Sequence, residues 1–170
     1  MKSPTIKGEA LELERAINLI KLHARLQVLV SEVKLSRSRL LKLYTEIHSK
    51  SPPKGLLPFS INWFLERTPN IHSSLFLRIY DYFLNVAGLE RVDAIVKSYR
   101  MYTETTGKSF SKQELSITRA WQLLKFVDAK LLLRKQCRKC LTEYITREKG
   151  RGLRNCGLCE FSSKIAKCLK

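Results

Sequence analysis

The chain has 170 residues, 44% of them apolar, which supports one sizeable core plus a small module and excludes a disordered chain. No apolar run approaches the length that spans a bilayer, and residues 1–9 are polar and lack the apolar stretch of a secretory signal, so a cytoplasmic location with reduced thiols is expected. Thirty-two Lys and Arg against 15 Asp and Glu leave a formal net charge of +17, an excess that attracts polyanions, nucleic acid before a membrane surface or an acidic protein.

Helical periodicity dominates residues 9–133, with no alternating strand pattern. A first helix is predicted over 9–31. Leu13, Ile17, Ile20, Ala24 and Val28 form one apolar stripe, and Leu19, Leu22, Leu26, Leu29 and Val33 a second. A lone surface helix needs only one stripe. Two stripes describe either a central core helix or one that faces its own chain on one side and a partner on the other. After a break at 32–35, Ser36 is the N-cap of a second helix, 37–48, with Leu40, Leu41, Leu43, Tyr44 and Ile47 on its face. Lys34, Arg37, Arg39 and Lys42 accompany it. Residues 24–48 thus have the layout of a helix-turn-helix, although the turn lacks the frequent glycine.

Three prolines and Gly55 interrupt the helical pattern at 51–60, and a brief helix is expected over 61–66. Asn70 is the expected cap of the next helix, whose face carries Leu75, Phe76, Ile79, Tyr80, Phe83 and Leu84, with Gly88 as its stop. Another helix shows Val92, Ile95, Val96, Tyr99 and Tyr102 and ends near Gly107. Residues 111–114 read Ser-Lys-Gln-Glu, a capping box that opens a helix with Ile117, Trp121, Leu124, Val127 and Leu131 inward. These aromatics read as core, not as a platform for bases.

After Leu133 the composition changes. Residues 134–170 hold eleven basic and three acidic side chains, about half the net charge on about a fifth of the chain. Cys137 and Cys140 form one C-x-x-C pair, and Cys156 and Cys159 a second, fifteen residues on. That spacing reads as a structural zinc site, because two such turns can close a tetrahedral shell of four thiolates and leave no position open for chemistry. One Zn2+ per chain is expected, in preference to disulfides, redox chemistry or an iron–sulfur cluster. Cys168 has no partner at ligand spacing and reads as a free thiol. A short strand is expected over 142–146. Between the pairs lie Arg147, Lys149, Arg151 and Arg154, with Gly150 and Gly152. The fold class is therefore mainly α: a multi-helix body, residues 1–133, and a basic, zinc-ribbon-like four-cysteine module, residues 134–170, dependent on metal for its fold.

Nothing points to catalysis. His23, His48 and His72 stand on different helices or helix ends, and no nucleotide-binding, hydrolase or metalloprotease motif is present.

The segments ARLQVLVSEVKLSRSRLLKLYTEI (24–47), SPPKGLLPFSINWF (51–64), VDAIVKSYRMY (92–102) and LSITRAW (115–121), followed by the double C-x-x-C, resemble the FlhC family, subunits of the bacterial flagellar master transcriptional activator. The resemblance spans nearly the whole chain in order. It implies a mostly helical protein that assembles with FlhD into a heterohexamer of two FlhC and four FlhD chains, binds promoters of flagellar operons and helps recruit RNA polymerase. It also implies that Cys137, Cys140, Cys156 and Cys159 bind zinc. Relatives often continue beyond the equivalent of the last residues here, so a role for a longer tail does not transfer. On this reading Arg138, Lys139, Arg147, Arg151 and Arg154 are the first candidates for DNA contact, and Lys34, Arg37, Arg39 and Lys42 the second. The rival readings are an RNA- or ribosome-binding zinc ribbon, for which the basic module offers only Tyr144 and Phe161 as stacking residues, and a pure assembly protein that docks an acidic partner.

Overall fold

Thr5 opens the first helix of the computed structural model, whose described residues are 5–57, 60–107, 114–147 and 155–160. Its hydroxyl accepts from the Gly8 N–H at 3.1 Å and starts α1 (Ile6–Lys21). The single helix expected over 9–31 is two helices. His23 takes the left-handed region, with φ +62°, and the turn around it satisfies the end of α1: the His23 N–H donates to Ile20 O and the Ala24 N–H to Leu19 O. The chain then re-enters helix as α2 (Leu26–Glu32). Both apolar stripes end largely inside this chain, with Leu19, Ile20, Leu22, Ala24, Val28, Leu29 and Val33 all buried. Leu13 of the first stripe is exposed and Leu26 of the second only partly buried.

Ser36 caps α3 (Arg37–His48) as expected, its hydroxyl accepting from the Arg39 N–H. Leu40 and Tyr44 are buried, Leu43 and Ile47 partly, while Leu41 is exposed. A 3-10 turn, Asn62–Leu65, leads into α4 (Arg67–Asp81). Asn70 is not a cap. It lies inside α4, fully buried, because its amide serves the ribbon that closes the chain. A π-turn, Tyr82–Val86, widens the end of α4 before Gly88, at φ +64°, reverses the chain. Helix α5 (Arg91–Thr106) stops at Gly107, also left-handed, and carries the buried Ile95, Tyr99 and Tyr102.

The expected capping box at 111–114 falls mostly outside the described residues, which exclude 111–113. Helix α6 (Ile117–Asp128) starts later, with Ser116 as the cap that accepts from Arg119 N–H. Because α6 ends at Asp128, Leu131 leaves its inward stripe and is 46% exposed. Most of the described aromatics are core residues: Tyr44, Phe64, Phe76, Tyr99 and Tyr102 are among the largest fully buried side chains, whereas Tyr82 is exposed.

Polar clamps join the helices. Arg15 of α1, itself buried, meets Glu12, Asp93 and Glu90, tying α1 to the start of α5. Glu32 accepts from the Trp121 indole at 2.6 Å and pairs with Lys125 at 3.4 Å, and its other carboxylate oxygen lies 3.6 Å from Arg91. One carboxylate thus ties α2 to α5 and α6. Both centres are buried charges, and removing their partners would leave them uncompensated.

The chain closes with an antiparallel ribbon, β1 (Leu133–Gln136) and β2 (Glu143–Thr146), in register from Leu133 opposite Thr146 to Gln136 opposite Glu143. The expected strand is present, one residue shorter. Ile145 of β2 is fully buried and packs in the main hydrophobic core, as does Leu132 just before β1. The ribbon therefore shares the interior of the helical body.

Candidate metal centre and nucleic-acid interface

Each C-x-x-C pair occupies a tight turn at one end of the ribbon. Cys137 follows β1 directly, and the Cys137 N–H donates to Thr142 O while the Leu141 N–H donates back to Cys137 O, both at 2.9 Å. Leu141 takes φ +61° to close this turn. In the second turn the Glu160 N–H donates to Cys156 O. The two turns bring the sulfurs of Cys137, Cys140, Cys156 and Cys159 within 4.8 Å of one another. Sulfurs placed tetrahedrally around a zinc ion at about 2.3 Å lie about 3.8 Å apart, so the donor set fits that metal. The sulfurs of Cys140 and Cys156 are 3.6 Å apart, far beyond a disulfide bond of about 2.05 Å.

The electrostatics suit a cation at this point. Burial pushes the Cys137 thiol up, but backbone N–H groups of Cys156, Cys140 and Lys139 aimed at its sulfur outweigh that and bring it down to about 6. Hydrogen bonds from Thr142 lower Cys140. Hydrogen bonds with Cys140 and Cys156 push Cys159 up to about 12, and burial raises Cys156. Two thiols can ionise readily and the other two then resist. A cation among them removes that conflict, and these four residues can hold a metal ion.

The centre is seated on the helical body by two residues that the sequence pattern hides. Asn70 of α4 donates from its amide nitrogen to Ile145 O at 2.7 Å and to Phe64 O at 3.1 Å. Gly157, between the second pair of cysteines, lies so close to α4 that a Cβ there would sit 2.9 Å from Ile71 Cγ1 and 3.0 Å from Arg67 O. No local signal marks either residue, since both act through partners distant in sequence. Tyr144 is buried against Cys137 and Cys156, so it is not available to stack on a base. Phe161 lies outside the described residues.

Of the first candidate set for DNA contact, Arg138 and Lys139 are exposed within the first cysteine turn. Arg147, at the end of β2, is half-buried and donates to Asn62 Oδ1 at 3.2 Å, which ties the ribbon to the 3-10 turn. Arg151 and Arg154 lie outside the described residues. In the second set Lys34, Arg37, Arg39 and Lys42 are all exposed. Arg39 is paired with Glu9, and the Lys34 N–H donates to Glu12 at 2.5 Å. The histidines stand on different helices or helix ends, as expected, and the fold brings two of them together: the rings of His23 and His48 stack 4.6 Å apart, and His48 Nε2 lies 2.8 Å from Ile20 O. Among the described residues no helix is long and apolar enough to cross a membrane.

Comparisons with known proteins identify relatives along the whole chain. The family described as "Flagellar transcriptional activator (FlhC)" matches residues 1–170. The flagellar transcriptional regulator FlhC of Thauera aminoaromatica is 42% identical over 165 residues, covering 96% of this chain and 85% of that protein. Its counterpart in Verminephrobacter eiseniae is 44% identical over 163 residues, covering 96% and 89%. That of Pectobacterium carotovorum is 40% identical over 172 residues, covering 100% and 89%. The chain therefore belongs to the FlhC family, whose members are transcriptional regulators of flagellar genes and not enzymes.

Proposed function

We propose that this chain is the DNA-contacting subunit of a cytoplasmic flagellar activator. It works with FlhD, as two FlhC and four FlhD chains, binds promoter duplex and helps recruit RNA polymerase. In this reading residues 1–133 carry assembly and residues 134–170 carry the metal and most of the DNA contact. Cys137, Cys140, Cys156 and Cys159 hold one structural Zn2+, which supplies a fixed shape and no reaction chemistry. One observation carries the reading: the four converging thiols lie in the most basic fifth of the chain, on a ribbon anchored through Asn70 and Ile145 to the main core. Lys and Arg held there would bind phosphates and release counterions, so affinity should fall steeply with salt.

The burial of Tyr144 weighs against the RNA reading, since single-stranded RNA is recognised largely by stacking on exposed aromatics. The test is charge reversal of Arg138, Lys139, Arg151 and Arg154 to Glu. Arg147 is spared because its bond to Asn62 gives it a structural role. Promoter binding is expected to be lost while co-purification with FlhD is kept. Retention of promoter affinity by that variant would show that the metal-bearing module is not the reader.

A further inference from the structure

Several cations of the helical body meet a carboxylate: Arg15, Arg39, Arg91 and Lys125 all do. Among the described residues most other Lys and Arg do not, and three of these line one cleft. Between the start of α2, the start of α3 and the proline loop lies an open cleft of about 390 Å³, lined by Arg25, Gln27, Arg37, Ser51 and Lys54 among others. No Asp or Glu lines it. Among the described residues no carboxylate pairs with its three cations.

The cleft is also set in shape. Arg25 Nη1 donates to Leu56 O at 2.7 Å, which fixes that guanidinium against the loop and leaves its other N–H groups for a ligand. Pro52 and Pro53 restrict the backbone beside Lys54, and Pro52 is buried. Arg37 stands on the first residue of α3, whose first turn contains no acidic residue. A cation there opposes the positive end of the helix dipole, and an anion bound beside it would favour both. Three cations with an amide and a hydroxyl suit an anion with several oxygens, which is the chemistry of a phosphate. Small free ligands are usually enclosed by most of their surface. Here Gln27, Arg37 and Lys54 are exposed, as suits a polymer that runs past and leaves one phosphate in the cleft.

We infer that the Arg25–Arg37–Lys54 cleft binds a backbone phosphate of promoter DNA, a second contact outside the metal-bearing module. The inference rests on the DNA-binding reading above. It adds Arg25 and Lys54 to the contact surface and gives Arg37 a backbone role. A contact of this kind positions the duplex and carries no sequence information.

The test uses the full chain co-purified with FlhD and the double variant R37Q/K54Q. Arg25 is left in place because it holds Leu56. Anisotropy of a labelled promoter duplex is read over a range of KCl. The plot of log affinity against log salt is expected to become shallower by about 0.9 for each cleft that no longer holds its phosphate. A scrambled duplex should show the same change. Unchanged slope and affinity would overturn the inference. The variant R138Q/K139Q, in the same assay, separates the two readings. If it loses binding while R37Q/K54Q binds as the wild type does, the DNA reading stands and the cleft contact falls. If the wild-type complex binds no duplex at any salt, both fall. Calorimetry with pyrophosphate distinguishes a free ligand: binding by the wild type alone, with the duplex slope unchanged, overturns the DNA contact in favour of a small phosphate compound.

Discussion

Asn70 donates from one buried amide to a carbonyl of the 3-10 turn and to a carbonyl of β2, across 75 positions of sequence. Replacing it with Ala leaves Ile145 O and Phe64 O without that donor in a dry interior. N70A should therefore cost about 2 kcal/mol of stability in urea unfolding, and a cost below about 0.5 kcal/mol would contradict the role given to the amide. Gly157 works by absence of a side chain. In Gly157→Ala the new Cβ meets Ile71, which can turn aside, and Arg67 O, which is backbone and cannot. The ribbon should be displaced from α4, read as faster hydrogen exchange at Glu143–Thr146 with the helical circular dichroism unchanged. Exchange rates equal to the wild type would show that Gly157 is not a packing requirement.

At the scale of the element, the break between α1 and α2 turns on His23, a non-glycine residue at positive φ. Burial, together with the charges of His48 and Lys50, lowers its pKa below the ordinary 6.5. The unfolded chain therefore takes up the proton at higher pH than the folded one. Stability is full above the ordinary value and declines as pH falls through it, until the lower folded-state value is passed. Asn tolerates the left-handed region without titrating. H23N should therefore fold normally and show a flatter loss of stability between about pH 7 and pH 5 in thermal melts. An unchanged pH profile would exclude His23 as its source. The break itself was illegible in the sequence because a single left-handed residue hardly disturbs the spacing of the leucines on either side. The limits of α3 were legible because a serine cap and a helical stripe are local signals. The cysteine pairs were legible for the same reason, since each pair sets two ligands within one turn. Asn70, Gly157 and the Arg15 clamp were not, because their partners arrive from 75, 86 and 78 residues away.

At the scale of the molecule, the helical body and the ribbon are joined through Ile145 and Leu132, which lie in one core with the helices. Metal removal should then have a graded effect. The body retains its own buried core, so its helical signal should survive, while the amides of β1 and β2 lose protection as the cysteine turns open. Loss of all helical signal on chelation would mean that the metal holds the whole fold rather than the ribbon. Arg138 and Lys139 are held exposed on the first cysteine turn, a fixed place that a flexible basic tail would not give them. The decisive test is promoter binding by the full chain co-purified with FlhD, measured by anisotropy at one stated salt concentration, before and after metal is stripped and again after one equivalent of Zn2+ is returned. The expected result is a loss of at least about 100-fold in affinity on stripping, toward the level of non-specific binding, with recovery on return of zinc. Promoter affinity that is the same with and without metal would contradict the role of the four cysteines in shaping the DNA-binding surface.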